Sequence, residues 1–142
     1  MNVRRARPGD AAAIASFIGD MNYDGVTPER VAERLTDLPE GHAVFVATVD
    51  EQPRGFVHVM LSMSLIVGVR VELAGLGVSA DSQGSGVGGA LLRRAEEWAA
   101  QRGAVSVYVR SGAEREAAHR FYEKHGYQRL KMQVALAKPI SA

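Results

Sequence analysis

The sequence predicts an α/β domain built on a mixed, mostly antiparallel sheet of about six strands flanked by four helices, in the order β-α-α-β-β-β-α-β-α-β. Two patterns predict it. Apolar residues alternate with period two through consecutive segments between residues 43 and 78, whereas residues 10–38, 87–103 and 113–125 repeat them at helical spacing. A glycine-rich stretch, Gln83 to Gly89, joins the last strand of the first pattern to the helix that follows.

In chain order, Val3 to Arg7 reads as a first strand. Asp10 is positioned to cap a helix that carries Ile14, Phe17, Ile18 and Met21 on one face. Asn22-Tyr23-Asp24-Gly25 ends that helix. Thr27-Pro28 reads as an N-cap followed by proline at the first helical position, and Val31, Leu35 and Leu38 continue at helical spacing until Pro39-Glu40-Gly41. Ala43 to Val49 is a strand and Asp50-Glu51-Gln52-Pro53 a turn. Gly55 to Val67 is a long strand with Val57, Val59, Leu61, Met63, Leu65 and Val67 on one face and His58, Met60, Ser62 and Ser64 on the other. Gly68 turns the chain into Val69 to Val78, where Gly75 and Gly77 signal a bulge or a close backbone approach. The next helix buries Val87, Leu91, Ala95, Trp98 and Ala99 and stops at Gly103, which suits the C′ position. Val105 to Val109 is a buried-type strand, and Ala113 to His125 a helix ended by Gly126. Tyr127 to Leu136 is read as a last strand with Leu130, Met132, Val134 and Leu136 alternating.

Composition narrows the function. The 142 residues suit one domain, 1–142, without low-complexity segments. Seventeen basic and sixteen acidic side chains give a formal charge of +1, unlike the one-signed surface of a nucleic-acid binder. The start of the chain is basic but leads to Pro8-Gly9-Asp10 rather than an apolar run, and Phe56 to Val71 is too polar to span a bilayer. A cytoplasmic protein without membrane partners is expected. Cysteine is absent, and the four histidines (His42, His58, His119, His125) lack ligand spacing, so no metal is expected.

The segment Val78-Ser79-Ala80-Asp81-Ser82-Gln83-Gly84-Ser85-Gly86-Val87-Gly88-Gly89 is a strand end, a short loop and a helix start with little side-chain bulk. Amides in the first turn of a helix lack intrahelical partners and carry partial positive charge, so a phosphate or pyrophosphate is the natural guest. A P-loop is excluded because no Lys-Ser or Lys-Thr follows the glycines. Gly84, Gly86 and Gly89 satisfy G-x-G-x-x-G, but roughly twenty residues on stands Tyr108-Val109-Arg110 rather than an acidic ribose ligand. Three antiparallel-looking strands also precede the motif, which argues against a dinucleotide fold.

Gln83-Gly84-Ser85-Gly86-Val87-Gly88 resembles the Q/R-x-x-G-x-G/A signature of the GNAT superfamily of N-acetyltransferases. Val71 to Val78 looks like that family's fourth strand, and Ala118-His119-Arg120-Phe121-Tyr122-Glu123-Lys124-His125-Gly126-Tyr127 looks like its A-x-x-F-Y-x-x-x-G-F/Y segment. The resemblance is strong from residue 69 to 127 and topological before it. It implies a GNAT-like fold and acetyl-CoA (coenzyme A), with pyrophosphate on the amides of Gly84, Ser85, Gly86, Val87 and Gly88. Gln83 and Gly89 flank that cradle, and the pantetheine arm would pair with the strand edge at Leu76, Gly77 and Val78.

The resemblance also implies roles. Glu72 occupies the position where some family members carry a general base, and the alternative is an exposed or Arg70-paired carboxylate. Tyr122 falls on the tyrosine that commonly protonates the departing sulfur, and the alternative is an aromatic cluster with Phe121. The Val78 amide is the candidate oxyanion donor. Where many members have asparagine seven residues before the tyrosine, this chain has Arg115, which either meets a cofactor phosphate or is solvated. Ser111 and Gly112 line the expected cofactor channel, and Phe121 sits beside it. The expected activity is transfer of an acetyl group from acetyl-CoA to a primary amine of a small molecule or peptide, by direct attack on the thioester. A non-catalytic acyl-CoA-binding sensor is the rival, and a homodimer through apolar strand edges is the candidate assembly.

Overall fold

The computed structural model describes residues 1–141, which fall into two compact units, one from Met1 to Val109 and one beginning at Arg110. The first unit holds a five-stranded sheet in the order β1-β2-β3-β4-β5, with β1 Asn2–Arg5, β2 His42–Val49, β3 Gln52–Ser64, β4 Gly68–Val78 and β5 Val107–Val109. Neighbours are antiparallel except β4 and β5, which run parallel. Its helices are α1 Ala11–Asp20, α2 Pro28–Thr36 and α3 Val87–Gln101; the second unit contributes α4 Glu116–Lys124. The expected element order holds from β1 through α4.

Alternation along the strands divides the core in two. Val44, Val46 and Phe56 pack with Ile14, Ala15 and Phe17 of α1 and Val31 of α2. Phe45, Val57, Val59 and Val71 are wholly buried, as are Leu91 and Ala95 of α3. Burying each large apolar side chain contributes about 1.5–3 kcal/mol, so this clamping of one sheet by helices fixes the register. Asp50 and Glu51 both have positive φ (51° and 65°), the conformation of a two-residue turn whose twist matches the flanking strands β2 and β3.

Four expectations need correction. Asp10 does not cap α1 with its side chain; it closes a 3-10 turn, Pro8–Asp10, by accepting the Arg7 amide at 2.8 Å. Its two oxygens take a bidentate pair from Arg4 at 2.8 and 2.9 Å. The strand β3 stops at Ser64 rather than Val67, because the Ser64 hydroxyl accepts the amides of Ile66 (3.1 Å) and Val67 (2.9 Å) and bends the chain. The helix α4 begins at Glu116, not Ala113. Finally, residues 127–141 form no strand: Leu130, Met132, Val134 and Leu136 are all at least 71% exposed. A period-two pattern chooses a face, but a strand also needs a ladder partner, and this segment has none among the described residues.

The Arg4 hydrogen bonds hold the Asp10 carboxyl below the usual carboxylate range, with the Arg7 amide helping and burial opposing. A folded-state pKa below the unfolded one adds stability that is complete above the ordinary value of about 3.9 and disappears as pH falls through the lower folded value. Asp10→Asn is therefore expected to cost about 2–3 kcal/mol near neutral pH, with the gap from the parent closing below about pH 4, as read by urea unfolding across pH.

Candidate functional site

Three features of the first unit converge at one end of β4. The first is an open strand edge. Parallel pairing with β5 covers Val71, Glu72 and Leu73, so among the described residues no strand lines the outer edge of β4 from Ala74 to Val78. A register shift opposite His58 and Val59 marks the bulge that the sequence anticipated. The close approach is also present: a Cβ on Gly77 would stand 2.8 Å from the Phe56 ring and 3.1 Å from the Met21 sulfur, so these two side chains pack over β4 here because residue 77 is glycine. Leu76 and Val78 flank it, half-buried.

The second feature is the turn after β4. Ser79 donates its amide to the Arg54 carbonyl at 2.8 Å, Ser82 closes a 3-10 turn onto Ser79, and Ser85 bonds the Ser82 carbonyl through both amide and hydroxyl. Gln83 leaves that turn exposed, and Gly84 and Gly86 follow with φ of +82° and +89°, conformations that glycine adopts without steric cost. Nothing lies within 4 Å of where either Cβ would be, so the backbone here faces open space. The third feature is the start of α3. Its first intrahelical bond runs from the Ala90 amide to the Gly86 carbonyl, leaving the amides of Val87, Gly88 and Gly89 ahead of it. Amides at a helix start carry partial positive charge, and open space adjoins the two glycines that lead into this one. A pyrophosphate fits that chemistry. The Ser79 hydroxyl, buried at the same turn without a hydrogen-bond partner, is a further donor.

Glu72 lies on β4 opposite Met60 of β3, on the sheet face that also carries His58. It is buried to 8% exposure and pairs with Arg70 at 3.6 Å, and the Arg70 guanidinium stacks on the Tyr108 ring at 3.8 Å. The ion pair weighed from the sequence is thus present. It also holds a carboxylate in a fixed place within a largely apolar strand.

The second unit carries the remaining candidates. Tyr122 is half-buried on α4, edge-on to Phe121 at 5.2 Å and 5.7 Å from the Tyr127 ring. Burial pushes its phenol above the ordinary tyrosine value, against the pull of the Arg115 charge, so it remains a proton donor at neutral pH. Arg115 itself is exposed at the N-cap of α4. The Ser111 hydroxyl is buried without a partner. Both readings of Tyr122, aromatic cluster and proton donor, are compatible with these contacts.

One arrangement escaped sequence reasoning. His42 and His58 meet through ring nitrogens, Nδ1 to Nε2, at 2.9 Å. Among the described residues no group of three His, Asp or Glu side chains could hold a metal ion, and no helix is long and apolar enough to cross a membrane.

Residues 12–127 match the acetyltransferase (GNAT) family. An aminoglycoside N(6′)-acetyltransferase type 1 from Stenotrophomonas maltophilia is 29% identical, with 97% of this chain and 93% of the relative aligned. Among solved structures, a transcriptional regulator from Bacillus halodurans superposes with a TM-score of 0.86 at 21% identity, covering 96% of this chain and 99% of that one. An aminoglycoside 6′-N-acetyltransferase from Acinetobacter haemolyticus gives 0.84 at 18%, covering 99% and 100%. At these identities the two structures establish a shared fold.

Proposed function

Because the chain belongs to the acetyltransferase (GNAT) family, we propose that it transfers an acetyl group from acetyl-CoA to a primary amine by direct attack on the thioester. The observation that carries this reading is the start of α3, with amides ahead of its first intrahelical bond and open space at Gly84 and Gly86, beside the open edge of β4. The S. maltophilia relative's named activity makes an amino-sugar amine the first acceptor to test. The two units act as one catalytic domain in this reading, since the family match runs through their boundary at residue 109.

Bound acetyl-CoA would supply the electrophilic carbonyl and the leaving thiol. Gly84, Gly86, Val87 and Gly88 would hold its pyrophosphate through their amides, with Ser85 fixing the turn through its bonds to Ser82, and with Gln83 and Gly89 bounding the site; Leu76, Gly77 and Val78 would bond its arm through the backbone. The Val78 amide is suited to stabilise negative charge developing on the carbonyl oxygen. Glu72 takes the proton lost by the amine, and Tyr122, kept protonated by burial, delivers one to the departing sulfur. Ser111, Arg115 and Phe121 are assigned to cofactor contact. Tyr122→Phe is expected to lower kcat about ten- to a hundredfold while leaving the KM for acetyl-CoA unchanged; steady-state kinetics would read both, and an aromatic-cluster role alone would leave kcat intact.

Calorimetric titration with acetyl-CoA, NAD and ATP tests the reading. Selective binding of acetyl-CoA is the expected result, and binding of NAD instead, or of none of the three, would overturn it.

A further inference from the structure

The His42–His58 contact lies beside the face that carries Glu72, and its arrangement has a direction. In the sheet register His42 of β2 pairs with Met60 of β3, and Met60 pairs with Glu72 of β4. His42 and Glu72 therefore flank Met60 in one row. His58 is two residues from Met60 on the same face of β3, diagonal to His42 and, across the bulge in β4, to Glu72, and such positions are within reach of long side chains or of one bridging water. The two imidazoles are half-buried and share 2.9 Å between His42 Nδ1 and His58 Nε2. Both rings also line a pocket of about 460 Å³ under α2, which Glu33, Arg34 and Asp37 border from the helix side. Only one proton can occupy the shared nitrogen contact, so a proton accepted at the far nitrogen of one ring requires release from the far nitrogen of the other.

We propose that His42 and His58 form a two-imidazole relay that carries the proton released by the acceptor amine from the Glu72 side of the sheet to solvent in the pocket beneath α2. The relay rests on the acetyl-transfer reading above. Glu72 takes one proton from the amine and passes it through a water to His58 Nδ1. His58 then gives the proton on Nε2 to His42 Nδ1, and His42 gives the proton on Nε2 to water in the pocket. One proton enters and one leaves. Both rings end neutral with their tautomers exchanged, and they reset after the product leaves, when water entering the emptied acceptor site takes the His58 Nδ1 proton and pocket water returns one to His42 Nε2.

The surroundings suit this. Burial, then the His42 charge, pulls His58 below the ordinary histidine value, which keeps it neutral and able to accept at pH 7. The ionic groups facing the pair are Glu33, Arg34 and Asp37 on α2 and Arg70 and Glu72 on β4, with the two β4 groups already paired to each other. Two hydrogen-bonded histidines with a purely structural task would need neither a pocket at one end nor a carboxylate on the other.

His58→Gln and His42→Gln test the relay, because glutamine keeps hydrogen-bonding capacity but cannot hand a proton through. Transfer is first measured with the parent protein, acetyl-CoA and a panel of primary amines that includes a 6′-amino aminoglycoside. With the amine acetylated fastest, each variant is expected to lose about tenfold or more in kcat, to leave acetyl-CoA affinity unchanged, and to recover rate when imidazole is added. The pH profile should also lose the limb belonging to the histidine pair. Unchanged kcat and pH profile, or a loss that imidazole does not restore in either variant, would overturn the relay alone. No transfer to any amine by the parent would overturn the acetyl-transfer reading and the relay with it.

Discussion

Gly86→Asp is expected to weaken acetyl-CoA binding by about tenfold to a thousandfold while leaving the fold intact. The residue sits at φ +89° as the N-cap of α3, with open space where a Cβ would project. Aspartate visits the left-handed region at a cost of about 1–2 kcal/mol, so α3 should still form with a small loss of stability. Its carboxylate would occupy the volume proposed for the pyrophosphate. A unit charge about 4 Å from a phosphate charge costs roughly 1–4 kcal/mol between the fully solvated and the surface-protein limits, and a pyrophosphate carries more than one charge. Affinity should therefore fall by about tenfold to a thousandfold. Calorimetry reads the loss, and a retained cooperative thermal transition, its midpoint lowered only by the backbone strain, excludes misfolding as its cause.

Glu72→Gln is expected to have the largest kinetic effect of any single change. A positioned general base contributes about 10²–10⁴ to rate, and the amide of glutamine cannot accept the amine's proton. The variant should bind acetyl-CoA like the parent and lose roughly that factor in kcat/KM for the amine. The pairing with Arg70 at 3.6 Å offers a different outcome. If Glu72 serves only to neutralise Arg70 against the Tyr108 ring, the substitution would lower stability and leave turnover and pH profile as they were.

What the sequence made legible follows the range of each physical signal. The turn into α3 is readable because it is local: a strand end, small residues and a helix start follow one another within about a dozen positions, and positive φ at Gly84 and Gly86 is what glycine at those places supports. The N-cap at Thr27, whose hydroxyl accepts the Arg30 amide at 3.2 Å, and the stop at Gly103, with φ +69°, are equally local. Asp10 was misread because its partner Arg4 stands on another element, and a bidentate ion pair outcompeted the helix cap for the same carboxylate. The last strand was misread because alternation at Leu130, Met132, Val134 and Leu136 records a preference that takes effect only with a neighbouring edge.

The histidine pair lies between these cases. His42 and His58 are sixteen residues apart, and neither carries a spacing signal. Their meeting was nevertheless derivable: once the turn at Asp50 and Glu51 joins β2 to β3, the pairing of Val44 with His58 puts both rings on the α2 side of the sheet. The Cβ space at Gly77, by contrast, depends on how α1 settles against β4 and had no sequence signature beyond the glycine itself.

The central claim is that this chain moves an acetyl group from acetyl-CoA to an amine. Its most direct test is incubation of the purified protein with acetyl-CoA and an amine panel containing an aminoglycoside, with thiol release and product mass followed together. The account predicts free thiol rising in step with a singly acetylated amine. Acetyl-CoA that binds tightly while no amine in the panel is acetylated would contradict it and leave an acyl-CoA sensor in its place.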